Sequence, residues 1–162
     1  HAIELGTDAA TDTTLRGLGK SFKFAQVEAF QAACVERRIP CAHYIIFGGP
    51  DETPQTLDEG LDNLSRLPHC VVIGFSGVRV YRGTRLHARA VREGRIGPED
   101  PLLKPYYYFS DAINAGEMNE RITCAFRGRR DRIFPPHRAE EITATLRQLG
   151  YKGVLWDTLI RF

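Results

Sequence analysis

Three short stretches carry residue types that can hold a ligand: Glu4-Leu-Gly-Thr-Asp8, Gly48-Gly-Pro-Asp-Glu52 and Arg79-Val-Tyr-Arg-Gly-Thr84. Each joins a glycine to charged or hydroxyl side chains. Glycine lets a flat molecule approach the backbone closely, and a neighbouring carboxylate or hydroxyl can hold a ribose or an ammonium group. Each acid and base also has a plainer reading. Asp8 and Asp12 suit the cap of a short helix, Glu52 answers the dipole of the helix that follows, and Arg79 pairs with any nearby acid. His43, on an apolar strand, reads as a hydrogen-bonded core histidine, and His87 and His137 read as surface residues. No Ser/His/Asp order and no isolated carboxylate pair marks a hydrolase, so no catalytic acid, base or nucleophile is singled out.

Metal chemistry finds no support. The cysteines are Cys34, Cys41, Cys70 and Cys124. No pair is spaced C-x-x-C, and Cys41-x-His43 offers only two ligands on one strand face. The expectation is no metal site: free thiols in a reducing cytoplasm, with Cys34 and Cys124 behaving as small apolar residues.

The three stretches stand at strand ends. Ala2–Gly6 reads as a strand and Thr13–Leu18 as a short helix stopped at Gly19. Phe24–Arg38 reads as an amphipathic helix with Val27, Phe30 and Cys34 on its apolar face. Cys41–Phe47 is a continuous apolar strand, as in a parallel sheet covered on both faces. Thr53 then caps a helix over Pro54–Arg66 with proline at its first position and Leu57, Leu61 and Leu64 on one stripe. Val71–Tyr81 is a third strand interrupted by Gly74 and Gly77, where a bulge or bend is expected. Thr84 caps a helix over Arg85–Glu93. This alternation gives parallel strands with right-handed crossovers, whose carboxyl ends are where ligands bind.

The later segment differs. Residues 97–104 form a loop, and Pro105–Phe109 is a short aromatic run. Helices are expected over Asp111–Phe126 and Ala139–Leu149, the second with Ile142, Leu146 and Leu149 inward. Trp156, the only tryptophan, reads as a core plug. Arg127-Gly-Arg-Arg-Asp-Arg132 reads as a solvated loop, with a phosphate-binding patch as the alternative.

The chain has 162 residues, 43% of them hydrophobic, and a formal net charge of +2. That suits one well-packed domain and argues against nucleic acid as a general partner. No apolar run reaches the length of a membrane span. The chain has no initiator methionine and enters a strand almost at once, so a preceding segment of the same protein is expected.

Taken together, Glu4-Leu-Gly-Thr-Asp8, Leu15-Arg-Gly-Leu-Gly-Lys20, His43 to Thr53, Gly77-Val-Arg-Val-Tyr-Arg-Gly-Thr84, Ile133-Phe-Pro135 and Gly153-Val-Leu-Trp-Asp157 resemble the C-terminal half of a radical S-adenosylmethionine barrel. The subfamily most similar carries a cobalamin-binding domain upstream. The resemblance implies an α/β fold: three parallel βα units forming half of a partial (β/α)6 barrel over residues 1–96, then a mostly helical extension over 97–162. In that family S-adenosylmethionine is cleaved reductively at a 4Fe-4S cluster, giving a 5′-deoxyadenosyl radical. The cluster is held by C-x-x-x-C-x-x-C, which this chain lacks, so its strands correspond to the fourth, fifth and sixth. The resemblance places Glu4 and Thr7 at the ribose and methionine carboxylate, Ile46, Gly48 and Gly49 at the adenine through their backbone, and Val80 and Tyr81 beside the adenine pocket. Asp51, Arg82 and Arg85 depart from the family pattern at loop edges.

The implied partners are the preceding half of the protein and a small-molecule substrate of unspecified kind, with cobalamin as a further upstream cofactor. By itself the chain is expected to be inactive. Its unpaired first strand should drive homodimerisation unless C-terminal helices cover that edge. Two other readings stand beside this one. One is a tRNA methylthiotransferase-like enzyme, in which Arg127 to Arg132 would contact RNA. The other is a non-catalytic α/β binding module.

Overall fold

The computed structural model describes residues 2–160. Its centre is a parallel sheet of β1 (Ile3–Asp8), β2 (Cys41–Phe47), β3 (Cys70–Ser76) and β6 (Arg132–Ile133), in the order β1-β2-β3-β6. The crossovers carry α1 (Asp12–Gly17) and α2 (Phe24–Glu36) between β1 and β2, and α3 (Pro54–Arg66) between β2 and β3. A two-stranded antiparallel ribbon, β4 (Val78–Arg79) with β5 (Tyr107–Tyr108), follows the carboxyl end of β3 and packs with α4 (Arg85–Arg92). The α/β expectation therefore holds. The segment after residue 96 is more than helical: besides α5 (Ala115–Phe126) and α6 (His137–Gln148) it supplies β5 and the fourth parallel strand.

Alternation of side chains sorts the molecule into two faces. One carries Cys41, Ile45, Phe47, Cys70 and Val72, packed under α1, α2, α3 and α5. The other carries Ala42, Val71, Ile73 and Ile133, covered by Ala139 of α6 and by Trp156, Leu159 and Ile160 of the tail. Among the described residues no strand pairs with the outer side of β1. α6 and the tail lie on the second face, over β2, β3 and β6, with Trp156 reaching Glu4 of β1.

Local chemistry explains most boundaries. Thr53 accepts from the Thr56 amide and Pro54 opens α3. Thr84 accepts from the His87 amide to start α4. The third strand ends at Gly77, where φ is +78°, and not in a bulge at Gly74. Gly74 is instead a packing point: a Cβ there would lie 3.1 Å from the rings of both Phe47 and Phe134.

Several expectations are corrected. Phe30 is 38% exposed, and Gln31 takes the buried place beside Val27 and Cys34. Leu149 is 70% exposed, because α6 turns Ala139 inward and ends at Gln148. Cys124 is exposed, whereas Cys34 is buried. The short helix is capped by Thr11, not by either aspartate. Asp12 accepts from the Phe24 amide at 2.8 Å and so starts α2, while Asp8 pairs with Lys20.

The arginine run also needs correction at its end. Arg127 through Arg130 are exposed, but Arg132 is 4% exposed. Its guanidinium donates to the carbonyls of Leu64 (2.9 Å) and Leu67 (2.8 Å) at the end of α3, and to Cys70 (2.7 Å) at the start of β3. Asp131 answers its charge at 3.0 Å. A cation at a helix C-terminus opposes the dipole and satisfies carbonyls left without intrahelical partners. Arg132→Met should cost about 3 kcal/mol or more, because three buried carbonyls lose their donor. Urea unfolding measures this, and a loss well under about 1 kcal/mol would show that water replaces the guanidinium.

Candidate functional site

The second face of the sheet holds a cavity of about 660 Å³ between β1–β3 and the C-terminal elements. Glu4, Tyr44, Ile73 and Phe75 form its floor, and His137 and Trp156 are among the residues opposite. Glu4 is held from two sides: Trp156 Nε1 donates to Oε1 at 2.8 Å and Tyr44 Oη donates to Oε2 at 3.1 Å. Two donors orient a carboxylate and leave it further lone pairs. Burial, then the neighbouring Glu4, raises the Tyr44 phenol above its usual range, so Tyr44 stays a donor. The Tyr44 and Phe75 rings lie 6.0 Å apart and make an aromatic shelf beside Gly6, which pairs with Tyr44 in register and has no side chain. A flat ligand with a hydroxyl or ammonium group fits this combination. Sequence reasoning missed Tyr44, whose place on the same face as Glu4 follows from strand alternation. It read Trp156 as a plug. Trp156 is indeed 6% exposed, but its hydrogen bond to Glu4 leaves no trace in local sequence.

Thr7 faces the other way. Its hydroxyl lies 2.8 Å from His43 Nδ1, and His43 Nε2 lies 3.0 Å from Gln31 Oε1. The Gln31 amide nitrogen donates to the Pro68 carbonyl at 2.9 Å, which fixes Oε1 toward the imidazole. His43 then donates from Nε2 to Gln31, while Nδ1 faces the Thr7 hydroxyl, which can donate or accept. Complete burial, then repulsion from Arg132, lowers its pKa to about 4.

The turn after β2 is closed by Glu52, which the sequence assigns to starting a helix. Its carboxylate folds back to accept from the Gly48 amide at 2.6 Å. The Gly48 carbonyl accepts from the Ser110 amide at 2.9 Å. Gly48 has φ +83°, and a Cβ there would lie 2.7 Å from the Phe109 ring, so no other residue fits without displacing that ring. Gly48 is thus buried beneath Phe109, its amide taken by Glu52 and its carbonyl engaged by Ser110. Burial raises Glu52 to about 7, against the downward pull of the Gly48 and Gly49 amides.

The remaining expected residues separate. Alternation puts Ile46 on the cavity side, near Phe75, its partner in register. Gly49 backs onto Val78 and Leu18. Val80 is buried with Ala90 and Tyr108 in a third cluster. Tyr81 is 56% exposed, with the Arg79 guanidinium 5.0 Å over its ring. The structure therefore brings Glu4 and Ile46 to one face of the sheet, while Gly48 and Gly49 are buried in the turn after β2, Thr7 faces the helices and Val80 packs in the ribbon cluster. His87 is half-buried, and its Nε2 is buried without a hydrogen-bond partner.

The cysteines do not fit an iron–sulfur cluster. Cys34, Cys41 and Cys70 are buried, and burial pushes the Cys41 thiol to about 12 and Cys70 to about 11. Thiols held protonated are poor ligands. No group of three His, Cys, Asp or Glu among the described residues could hold a metal ion. No helix among them is long and apolar enough to cross a membrane.

No model of a known family matches the chain, and no curated protein matches it. Among solved structures it is similar to a radical S-adenosylmethionine methyltransferase, TsrM, from Kitasatospora setae, determined with cobalamin and a 4Fe-4S cluster bound. The TM-score is 0.74 at 18% identity, over 96% of this chain and 37% of that one. At that identity the likeness shows the fold: the chain has the architecture of part of that protein.

His43 and Glu52 titrate with opposite sign. The unfolded chain holds one more proton on His43 between pH 4 and the ordinary histidine value of 6.5, so that contribution to stability is full above 6.5 and lost as pH falls. The folded chain holds one more proton on Glu52 between the ordinary 4.5 and about 7, so that contribution is full below 4.5 and lost as pH rises. The two slopes cancel where the windows overlap. Glu52→Gln removes one of them and should leave stability rising by about 1.4 kcal/mol per pH unit between about pH 4.5 and 6.5 relative to wild type. Urea midpoints at the two ends of that window test this, and identical pH profiles for both proteins would refute it.

Proposed function

We propose that this chain forms the second half of a radical S-adenosylmethionine barrel, with β1, β2 and β3 as its fourth, fifth and sixth strands. The cluster loop and the preceding strands then come from polypeptide outside these 162 residues. One observation carries the reading: 96% of the chain follows the fold of such an enzyme while spanning 37% of its length. The free outer edge of β1 supports it, because a barrel needs a strand there, and in isolation the same edge favours a second copy.

S-adenosylmethionine, with an electron from a 4Fe-4S cluster, supplies radical chemistry by cleavage of its sulfonium. What this chain contributes is binding. Glu4, oriented by Trp156 and Tyr44, accepts from ribose hydroxyls or the ammonium group. Ile46, on the same sheet face as Glu4, offers apolar surface to the adenine, whereas Gly48 and Gly49 are covered by Phe109 and by Val78 and Leu18. Thr7 acts indirectly by holding His43 and so keeping β1 in register. Val80, buried in the ribbon cluster, and Tyr81, which lines a separate cleft, are assigned no contact with this ligand. The thiols here do not hold the cluster, and cobalamin is assigned no residue. Burial of Arg132 removes one of the arginines on which contact with RNA, as in a tRNA methylthiotransferase-like enzyme, would have drawn.

The coding sequence upstream should contain C-x-x-x-C-x-x-C, and the longer protein, prepared without oxygen and reduced, should release 5′-deoxyadenosine from S-adenosylmethionine. In that protein Glu4→Gln should raise KM for S-adenosylmethionine about tenfold, as for loss of one charge-assisted hydrogen bond. A longer protein without the cysteine motif, or with no deoxyadenosine formed, would sink the proposal.

A further inference from the structure

A second cavity, of about 640 Å³, opens at the carboxyl end of the strands. It shares no lining residue with the cavity over Glu4. Its walls are the end of α1, the turn at Pro50, the ribbon strand β4 and one side of α4. Five arginines line it: Arg16, Arg79, Arg85, Arg89 and Arg92. Leu18, Val78 and Leu86 give it apolar surface.

The fold explains these arginines only in part: Arg16 lies in the last turn of α1, where a cation suits the dipole. Arg85, Arg89 and Arg92 recur at i, i+4 and i+7, and like charges at that spacing destabilise a helix. Arg89 and Arg92 lie in the last turn of α4, where a cation suits the dipole. Arg85 is the first residue of α4, where the sign is wrong. Only Arg89 is paired, to Asp51 at 3.0 Å and Glu93 at 2.8 Å. Among the described residues no acid lies within ion-pair distance of Arg16, Arg79, Arg85 or Arg92. At the rim, Tyr81 exposes a ring already stacked by the Arg79 guanidinium.

We propose that this cleft binds an organic phosphate of small-molecule size, the guanidinium groups holding the phosphate oxygens and Tyr81 stacking on a planar group. Guanidinium forks match phosphate geometry, and several unpaired forks on one concave wall suit a ligand with more than one negative charge. The volume falls in the small-molecule range. A polynucleotide fits less well. The other arginine group, Arg127 to Arg130, precedes β6 and so lies at the amino end of the strands, leaving no continuous basic track between the two. The proposal is independent of the barrel reading, since S-adenosylmethionine carries no phosphate.

Calorimetric titration of the 162-residue chain with pyrophosphate, adenosine triphosphate and adenosine tests it. Pyrophosphate and the triphosphate should bind, the triphosphate more tightly. Adenosine alone should bind far more weakly than either phosphate, and affinity for the phosphates should fall when salt is raised from about 50 to 200 mM. Arg85→Glu and Arg16→Glu should each weaken triphosphate binding at least tenfold, with Arg79→Gln as the milder variant should a charge reversal disturb folding by circular dichroism. Arg130→Glu, at the other end of the sheet, should change nothing. No binding of either phosphate at millimolar concentration would overturn the assignment. So would equal sensitivity to Arg130→Glu, or a single-stranded oligonucleotide binding more than tenfold tighter than the triphosphate.

Discussion

A buried guanidinium sets the geometry on which the rest of the molecule depends. Arg132 brings three chain segments to one point: the end of α3, the start of β3 and the two residues of β6. Two residues of pairing make a weak strand. The charge-assisted bonds to three carbonyls, with Asp131 as counter-charge, give β6 its hold. Burying a charge is costly unless it is paired and hydrogen-bonded; both terminal nitrogens of Arg132 are used, and its Nε alone is buried without a partner. From β6 the chain runs directly into α6, so the position of Arg132 decides that α6 and the tail lie over the second face and not over the edge of β1.

The two faces then divide their work. Under the helices, the polar groups are closed on one another: Thr7, His43 and Gln31 form a line from β1 through β2 to α2, ending on the Pro68 carbonyl. Nothing in that line is left for a ligand, and its imidazole is held neutral. On the opposite face the same strands carry Glu4, Gly6, Tyr44 and Phe75, with the carboxylate oriented but not saturated. One residue of slip in β1 would exchange Glu4 with Leu5 and Thr7 with Gly6. The Thr7–His43 bond therefore protects the cavity from behind by fixing which residues of β1 face it.

The sequence was most legible where punctuation is local. Cys41–Phe47 and Pro54–Arg66 form as read because Pro40, Thr53 and Pro54 leave the chain little choice at their ends. The parallel order followed from alternation alone. What stayed hidden depends on partners distant in sequence. A two-residue strand among arginines has no periodicity, so β6 reads as loop. Whether Thr7 faces ligand or helix turns on register with β2. Glu52 looks like a helix-dipole acid until the turn folds it back onto Gly48. Arg79 and Arg85 stand in one cleft with Arg16 only because Gly77 redirects the chain into the ribbon.

The bond between Glu4 and Trp156 joins residues 152 positions apart. Contacts of such separation close the longest loop and form late. During synthesis the sheet can assemble through β3 well before Trp156 exists. The second face, with Ala42, Val71 and Ile73, waits uncovered in the meantime. The cavity over Glu4 is thus a mark of completion: an intermediate with an ordered sheet lacks both its lid and the donor that orients its carboxylate.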